Sequence, residues 1–151
     1  PYDQTHWGLT ISVLQGKNKN EVASYQEEQD ASILAQLTRV RDHQSLKSNF
    51  TLKNNGEVRI YALGEGRRGQ MYDYGWIEDF NSGKVVWEMS YRQTEHAGGA
   101  RKNRLLNEVI TLTPGEYRLH YETDDSHSYN DWNDAPPMDP MKWGITVYLE
   151  K

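Results

Sequence analysis

The chain has 151 residues, 36% of them hydrophobic, with five Trp, ten Tyr, two Phe and no Cys. That length suits one domain with a real core, the bulky aromatics argue against a disordered composition, and no apolar run approaches the ~20 residues that a membrane span requires. The net charge of −5 is concentrated: between Leu119 and Met141 stand Glu122, Asp124, Asp125, Asp131, Asp134 and Asp139 without a Lys or Arg, a sign of field that repels phosphate backbones. Neither nucleic acid nor membrane insertion is expected.

The absence of Cys excludes disulfides, thiolate zinc sites and cysteine nucleophiles but leaves the compartment open. The chain begins at Pro1 with no signal-peptide pattern, which reads as a mature form or an excised piece.

In chain order, the first predicted element is a strand from Trp7 to about Leu14, with Leu9, Ile11 and Val13 on one face. Gly16-Lys17-Asn18-Lys19-Asn20 is a turn signal, and the Glu/Gln-rich run from Glu21 to Ala31 offers no apolar face. The chain therefore divides into a joining strand over 1–15, a polar linker over 16–31 and a β-sandwich domain over 32–151. Ile33 to Val40 suits an edge strand and, nearly as well, a short helix. Leu46, Ser48, Phe50 and Leu52 then share a face, and Asn54-Asn55-Gly56 turns the chain into Val58, Ile60 and Ala62, since Asn and Gly tolerate the positive φ of a tight turn.

Gly64-Glu65-Gly66-Arg67-Arg68-Gly69 reads as a second turn. Met71 to Asp79 leads to the turn Asn81-Ser82-Gly83, and Val85, Trp87, Met89 and Tyr91 alternate after it. A long loop from Thr94 to Asn103 precedes the alternation of Val109 and Thr111 with Ile110 and Leu112. Thr113-Pro114-Gly115 then starts Tyr117, Leu119 and Tyr121. The last strand is approached through Pro137 and Pro140 and places Trp143, Ile145, Val147 and Leu149 on one face. About eight strands, Gly/Pro/Asn turns and no long helix describe an all-β, antiparallel, jelly-roll-like sandwich with long end loops.

The two extremities match. At an offset of 136, Pro1, Asp3, Trp7, Gly8 and Thr10 meet Pro137, Asp139, Trp143, Gly144 and Thr146, and the apolar face is kept. Three readings compete: a tandem array, one sandwich with two similar strands, or a leading strand that serves a neighbouring subunit. In the first and third, Trp7, Leu9 and Ile11 with Trp143, Ile145 and Val147 form or seal the joint between copies.

Leu112-Thr113-Pro114-Gly115-Glu116-Tyr117-Arg118-Leu119, with the earlier Glu57 to Ala62 strand and the pair Trp76-Ile77-Glu78-Asp79 and Val85-Val86-Trp87, resembles bacterial pre-peptidase C-terminal domains and related jelly-roll accessory modules. The resemblance spans roughly residues 46 to 123 and its motifs are loose. It implies a secreted, non-catalytic module, sometimes present in copies. The stretch from His120 to Trp143 is longer, more acidic and more aromatic than the family pattern, so no functional residue is carried over.

Several constellations could carry chemistry. Closely spaced Asp124, Asp125, Asn130, Asp131 and Asp134 have the composition of a calcium site, with Asp139 as an outside candidate, though the EF-hand spacing is absent. The bland alternative is a solvated loop whose Asp and Asn cap turns. Tyr129 and Trp132, with Tyr74 and Trp76, invite a reading as a sugar-stacking platform, against the usual role of such residues in core and cover. Asp124, Ser126 and His127 contain triad residue types but are adjacent in one loop, no Gly-x-Ser-x-Gly elbow is present, and no catalytic residue is assigned. The segment from Thr94 to Arg104 could cradle an anion through backbone amides and the cations Arg101, Lys102 and Arg104. It lacks a Walker lysine-serine pair, so a loop at one end of the sandwich, placed to meet the acidic loop of an adjacent copy, is the preferred reading.

These observations lead to a non-catalytic, extracellular module of a repetitive or polymeric bacterial protein. It would contact its own copies or neighbouring repeats, with calcium as its one candidate cofactor. A carbohydrate-binding accessory module is the alternative.

Overall fold

The computed structural model describes residues 30–150. The expected leading strand with Trp7, Leu9 and Ile11, and nearly all of the expected linker, lie outside the described residues. Within them the chain forms ten strands: β1 (Ile33–Thr38), β2 (Ser45–Leu52), β3 (Gly56–Arg67), β4 (Gln70–Met71), β5 (Tyr74–Asp79), β6 (Val85–Glu88), β7 (Glu95–His96), β8 (Asn103–Leu112), β9 (Gly115–Glu122) and β10 (Gly144–Leu149). One sheet runs β1-β10-β3-β8-β7, with β4 paired to β3; the other runs β2-β9-β5-β6. Every strand pairing is antiparallel. With β4 and β7 set aside as short additions, β1-β10-β3-β8 facing β2-β9-β5-β6 is the jelly-roll order, and β1, β2 and β3 alternate between sheets as that fold requires.

Alternation explains why the sheets face each other. In β9 the odd residues Tyr117, Leu119 and Tyr121 are buried and the even ones half-buried or exposed; in β5, Gly75 and Ile77 point in while Tyr74, Trp76 and Glu78 point out. Val58, Ile60 and Ala62 of β3 and Ile145 and Val147 of β10 meet Ile77, Leu119 and Tyr121 of the other sheet, all at 0% exposure. At about 1.5–3 kcal/mol per fully buried aliphatic or aromatic side chain, this interior is the main source of stability. Ile33 to Thr38, poised between strand and helix in the sequence, is an edge strand because β10 supplies a partner from Gly144 to Tyr148.

β3 corrects one sequence expectation. Gly64 to Arg67 do not turn but continue the strand, and Arg68-Gly69 alone makes the turn into β4. The glycines serve close approach instead. A Cβ on Gly64 would strike the Asp73 carbonyl, and one on Gly66 would lie 2.7 Å from Met71 Sδ and 3.0 Å from the Tyr91 ring.

The strand directions give the sandwich two unlike ends. At one end lie short connections: 53–55, 80–84 and Thr113-Pro114. At the other gather the longer segments 39–44, 89–102 and 123–143 with the turn at 68–73, and every candidate residue of the acidic and glycine-rich stretches falls there.

Candidate binding site at the loop end

Two loops build this end, and each closes the other. Asn103, the first residue of β8, is fully buried, and its side-chain amide donates to the carbonyls of Gly98 (2.8 Å) and Ala135 (3.0 Å). The Ala100 amide also donates to Ala135 (3.0 Å), and the Met138 amide donates to Ala97 (2.9 Å). Gly99 has φ +64, and a Cβ there would strike the Pro136 carbonyl, so glycine is needed for both conformation and approach. The glycine-rich and acidic loops, expected to meet across copies, are thus joined within one molecule.

His127 stands behind this joint at 0% exposure. Because the Asn103 NH2 is committed to two carbonyls, its Oδ1 faces the ring, and His127 Nε2–H donates to it at 2.5 Å. The other nitrogen, Nδ1, is 3.0 Å from the Asn133 side-chain oxygen, to which Lys102 donates at 2.7 Å. Burial first, then the charge of Lys102, pushes His127 below its ordinary value. The rings of Trp132 and Trp143 meet it edge-on at 5.1 and 5.7 Å. Neither ring nitrogen faces a serine hydroxyl or a carboxylate, so the triad-like composition of the loop forms no nucleophile–base pair.

A group of acids lies beside this cluster. Asp73, fully buried, accepts from the Asp124 amide at 2.9 Å through Oδ1, while Oδ2 has no partner among the described residues. Burial, followed by the charges of Asp124, Glu65 and Asp42, pushes the Asp73 carboxyl up to about 8. Glu65 is raised by burial although Lys102 pairs with it at 3.1 Å.

The expected calcium ligands take separate roles. Asp124 uses its main chain, donating to Asp73 and accepting from the His43 amide at 2.8 Å. Asp125 is exposed, Asn130 takes the left-handed turn position at φ 65, and Asp131 bridges to Ser128 through backbone. Asp134 accepts from the Ala135 amide at 2.7 Å. Among the described residues no three His, Asp or Glu side chains are grouped to hold a metal ion.

Of the expected sugar platform, Trp132 packs edge-on against Trp143 at 5.0 Å, and Tyr129 packs on the core with its hydroxyl 3.4 Å from Met141 Sδ. Trp143, Ile145 and Val147, expected at a joint between copies, are at 0% exposure inside their own sandwich. The platform's other two expected members, Tyr74 and Trp76, stand apart from Trp132 and Tyr129 in a flatter row on the outward face of β5 and β9. There Trp76 stacks on His120 at 4.6 Å with planes 6° apart, and Tyr74 lies 5.8 Å from Trp76.

A concavity of about 780 Å³ at the loop end is cationic. Arg67 from the end of β3, Arg101 and Lys102 from the glycine-rich loop and Arg104 from β8 line it with Tyr91, against one carboxylate, Asp134. The sequence pointed to Arg101, Lys102 and Arg104 but missed Arg67, hidden in an apparent turn, and Tyr91, hidden in an apparent strand. Tyr91 instead opens a 3-10 turn, Tyr91–Gln93, and lies under Arg104 at 4.5 Å from the ring centroid. No family model matches the chain, and no curated protein matches it.

Proposed function

We propose that the chain is a non-catalytic β-sandwich module that makes structural or adhesive contacts between copies of itself, in a secreted bacterial protein of repetitive build. The observation that carries this reading is the completeness of the sandwich over residues 30–150. β10 lies between β1 and β3, and Trp143 is fully buried at its head. The sheet has no second interior place for a strand of that kind, yet residues 1–13 repeat its pattern at an offset of 136. On this reading the repeated pattern serves a second sandwich, either the preceding copy or a neighbouring one. The resemblance to pre-peptidase C-terminal modules supports the secreted, accessory setting.

Trimming tests this. Residues 30–151 alone should melt cooperatively within ~3 °C of the full chain, because strands within residues 30–150 supply both faces of this core. A loss of cooperative melting on trimming would place residues 1–13 in this sandwich and end the array reading.

The carbohydrate reading is favoured by one observation, the outward row of Tyr74, Trp76 and His120, where an apolar sugar face could lie. Glycan-array binding that Trp76→Ala abolishes, with melting unchanged, would establish it.

A further inference from the structure

We propose that the cationic pocket at the loop end binds a tetrahedral oxyanion, a phosphate or sulfate group, and that Arg67 and Arg101 are its principal donors. The protein carries a net charge of −5, yet four permanent cations line this pocket against one lining carboxylate, Asp134, and Glu65, which pairs with Lys102. Such a local reversal of sign costs free energy through like-charge repulsion unless an anion relieves it.

The four cations are not equally free. Lys102 is spoken for by Glu65 at 3.1 Å and Asn133 at 2.7 Å. Arg104 is fixed by Thr94, donating from Nε to Oγ1 (2.9 Å) and from Nη2 to the carbonyl (2.7 Å), and it lies over Tyr91. Arg67 and Arg101 are exposed, and neither guanidinium has a hydrogen-bond or ion-pair partner among the described residues. Two fixed cations and two unengaged ones around a concavity form a preorganised base with two arms. The guanidinium fork matches the oxygens of phosphate and sulfate, which it can bond in pairs.

The other groups that face the pocket fit this role. His96 Nε2–H donates to the Ala100 carbonyl at 3.1 Å and so stabilises the bend that presents Arg101. Asp134, the one carboxylate of the lining, accepts from the Ala135 amide at 2.7 Å. Gly66 lines the pocket at a crowded point, where a Cβ would lie 2.7 Å from Met71 Sδ and 3.0 Å from the Tyr91 ring. The volume of about 780 Å³ exceeds that of a bare anion and leaves room for a phosphorylated or sulfated sugar unit. This inference stands apart from the array reading, because it concerns loops complete within one copy.

The experiment is calorimetric titration of the full chain at low ionic strength with inorganic pyrophosphate, inorganic sulfate and a sulfated disaccharide. Each is repeated on the double variant Arg67→Gln/Arg101→Gln and on Lys53→Gln/Lys84→Gln, which removes the same charge from exposed positions at the opposite end. The expected result is saturable one-to-one binding that weakens at least fivefold in the arginine variant and less than twofold in the lysine variant, with melting of both unchanged. Tighter binding of the disaccharide than of either inorganic ion would identify a sulfated glycan as the source of the group; the reverse order would identify a free anion. Absence of saturable binding to all three probes, or a loss below fivefold, or an equal loss in both variants, overturns the proposal.

Discussion

Asp73 holds a carboxylate oxygen with no partner among the described residues at a fully buried position, next to other acids. The folded chain keeps its proton up to about pH 8, whereas the unfolded chain releases it near 3.8. The folded state therefore binds more protons across that interval, and this residue's effect on stability worsens as pH rises from 3.8 to 8. Asp73→Asn keeps an oxygen for the Asp124 amide and places an NH2 among acidic neighbours. It should raise stability at pH 8 by about 1–3 kcal/mol and flatten the fall between pH 5 and pH 8 in urea titrations. Lower stability of the variant at pH 8 would contradict this account. Asn103 has the opposite sign: its side chain satisfies two carbonyls and one imidazole N–H, all from the loops. Asn103→Ala should cost on the order of 2–3 kcal/mol and speed amide exchange at Ala97, Ala100 and Met138. Nothing in a single sequence separates Asp73 from the exposed acids, because its burial is imposed by β3 and the loop at Asp124, both distant along the chain.

Strand β10 shows how far alternation carries and where it stops. Trp143, Ile145, Val147 and Leu149 share a face in the sequence, and the first three are fully buried. Leu149 is 42% exposed although the strand is still paired there with Val58 of β3. Trp143→Ala should cost about 3–5 kcal/mol and Leu149→Ala no more than ~0.5 kcal/mol in chemical denaturation, although period-two reasoning alone treats them alike. The turns at Asn54-Asn55-Gly56 and Thr113-Pro114-Gly115 were legible because their chemistry is local, but neither closes a hairpin: each carries the chain from one sheet to the other, and Asn54, Asn55 and Gly56 do so without a positive φ. The length of β3 was not, because Gly64 and Gly66 look like turn residues and are instead required by Asp73, Met71 and Tyr91 crossing over them. Arg67 was lost from the candidate site for the same reason.

For the whole molecule, fold class and jelly-roll topology followed from turn spacing and alternation, while the site did not. The acidic and basic loops each suggested a partner of opposite charge, and they find one another through Asn103, Ala135 and Met138, contacts that only the assembled end of the sandwich brings about. Oxyanion binding there should fall steeply with salt, since the cations are open to water. Raising ionic strength from 20 to 200 mM should weaken pyrophosphate by roughly tenfold or more while the melting temperature changes little.

One geometric fact bears on how such units could be strung together. Leu149 donates from its amide to the Ser32 carbonyl at 2.7 Å, and Ile33 pairs with Tyr148, so the polypeptide arrives and departs at the same pole. The arginine-lined mouth occupies the opposite pole. Copies joined close to Ser32 and Leu149 would carry their mouths at the far pole from the joint. Anchoring the chain to a surface by either terminus should accordingly leave its uptake of pyrophosphate the same as in free solution.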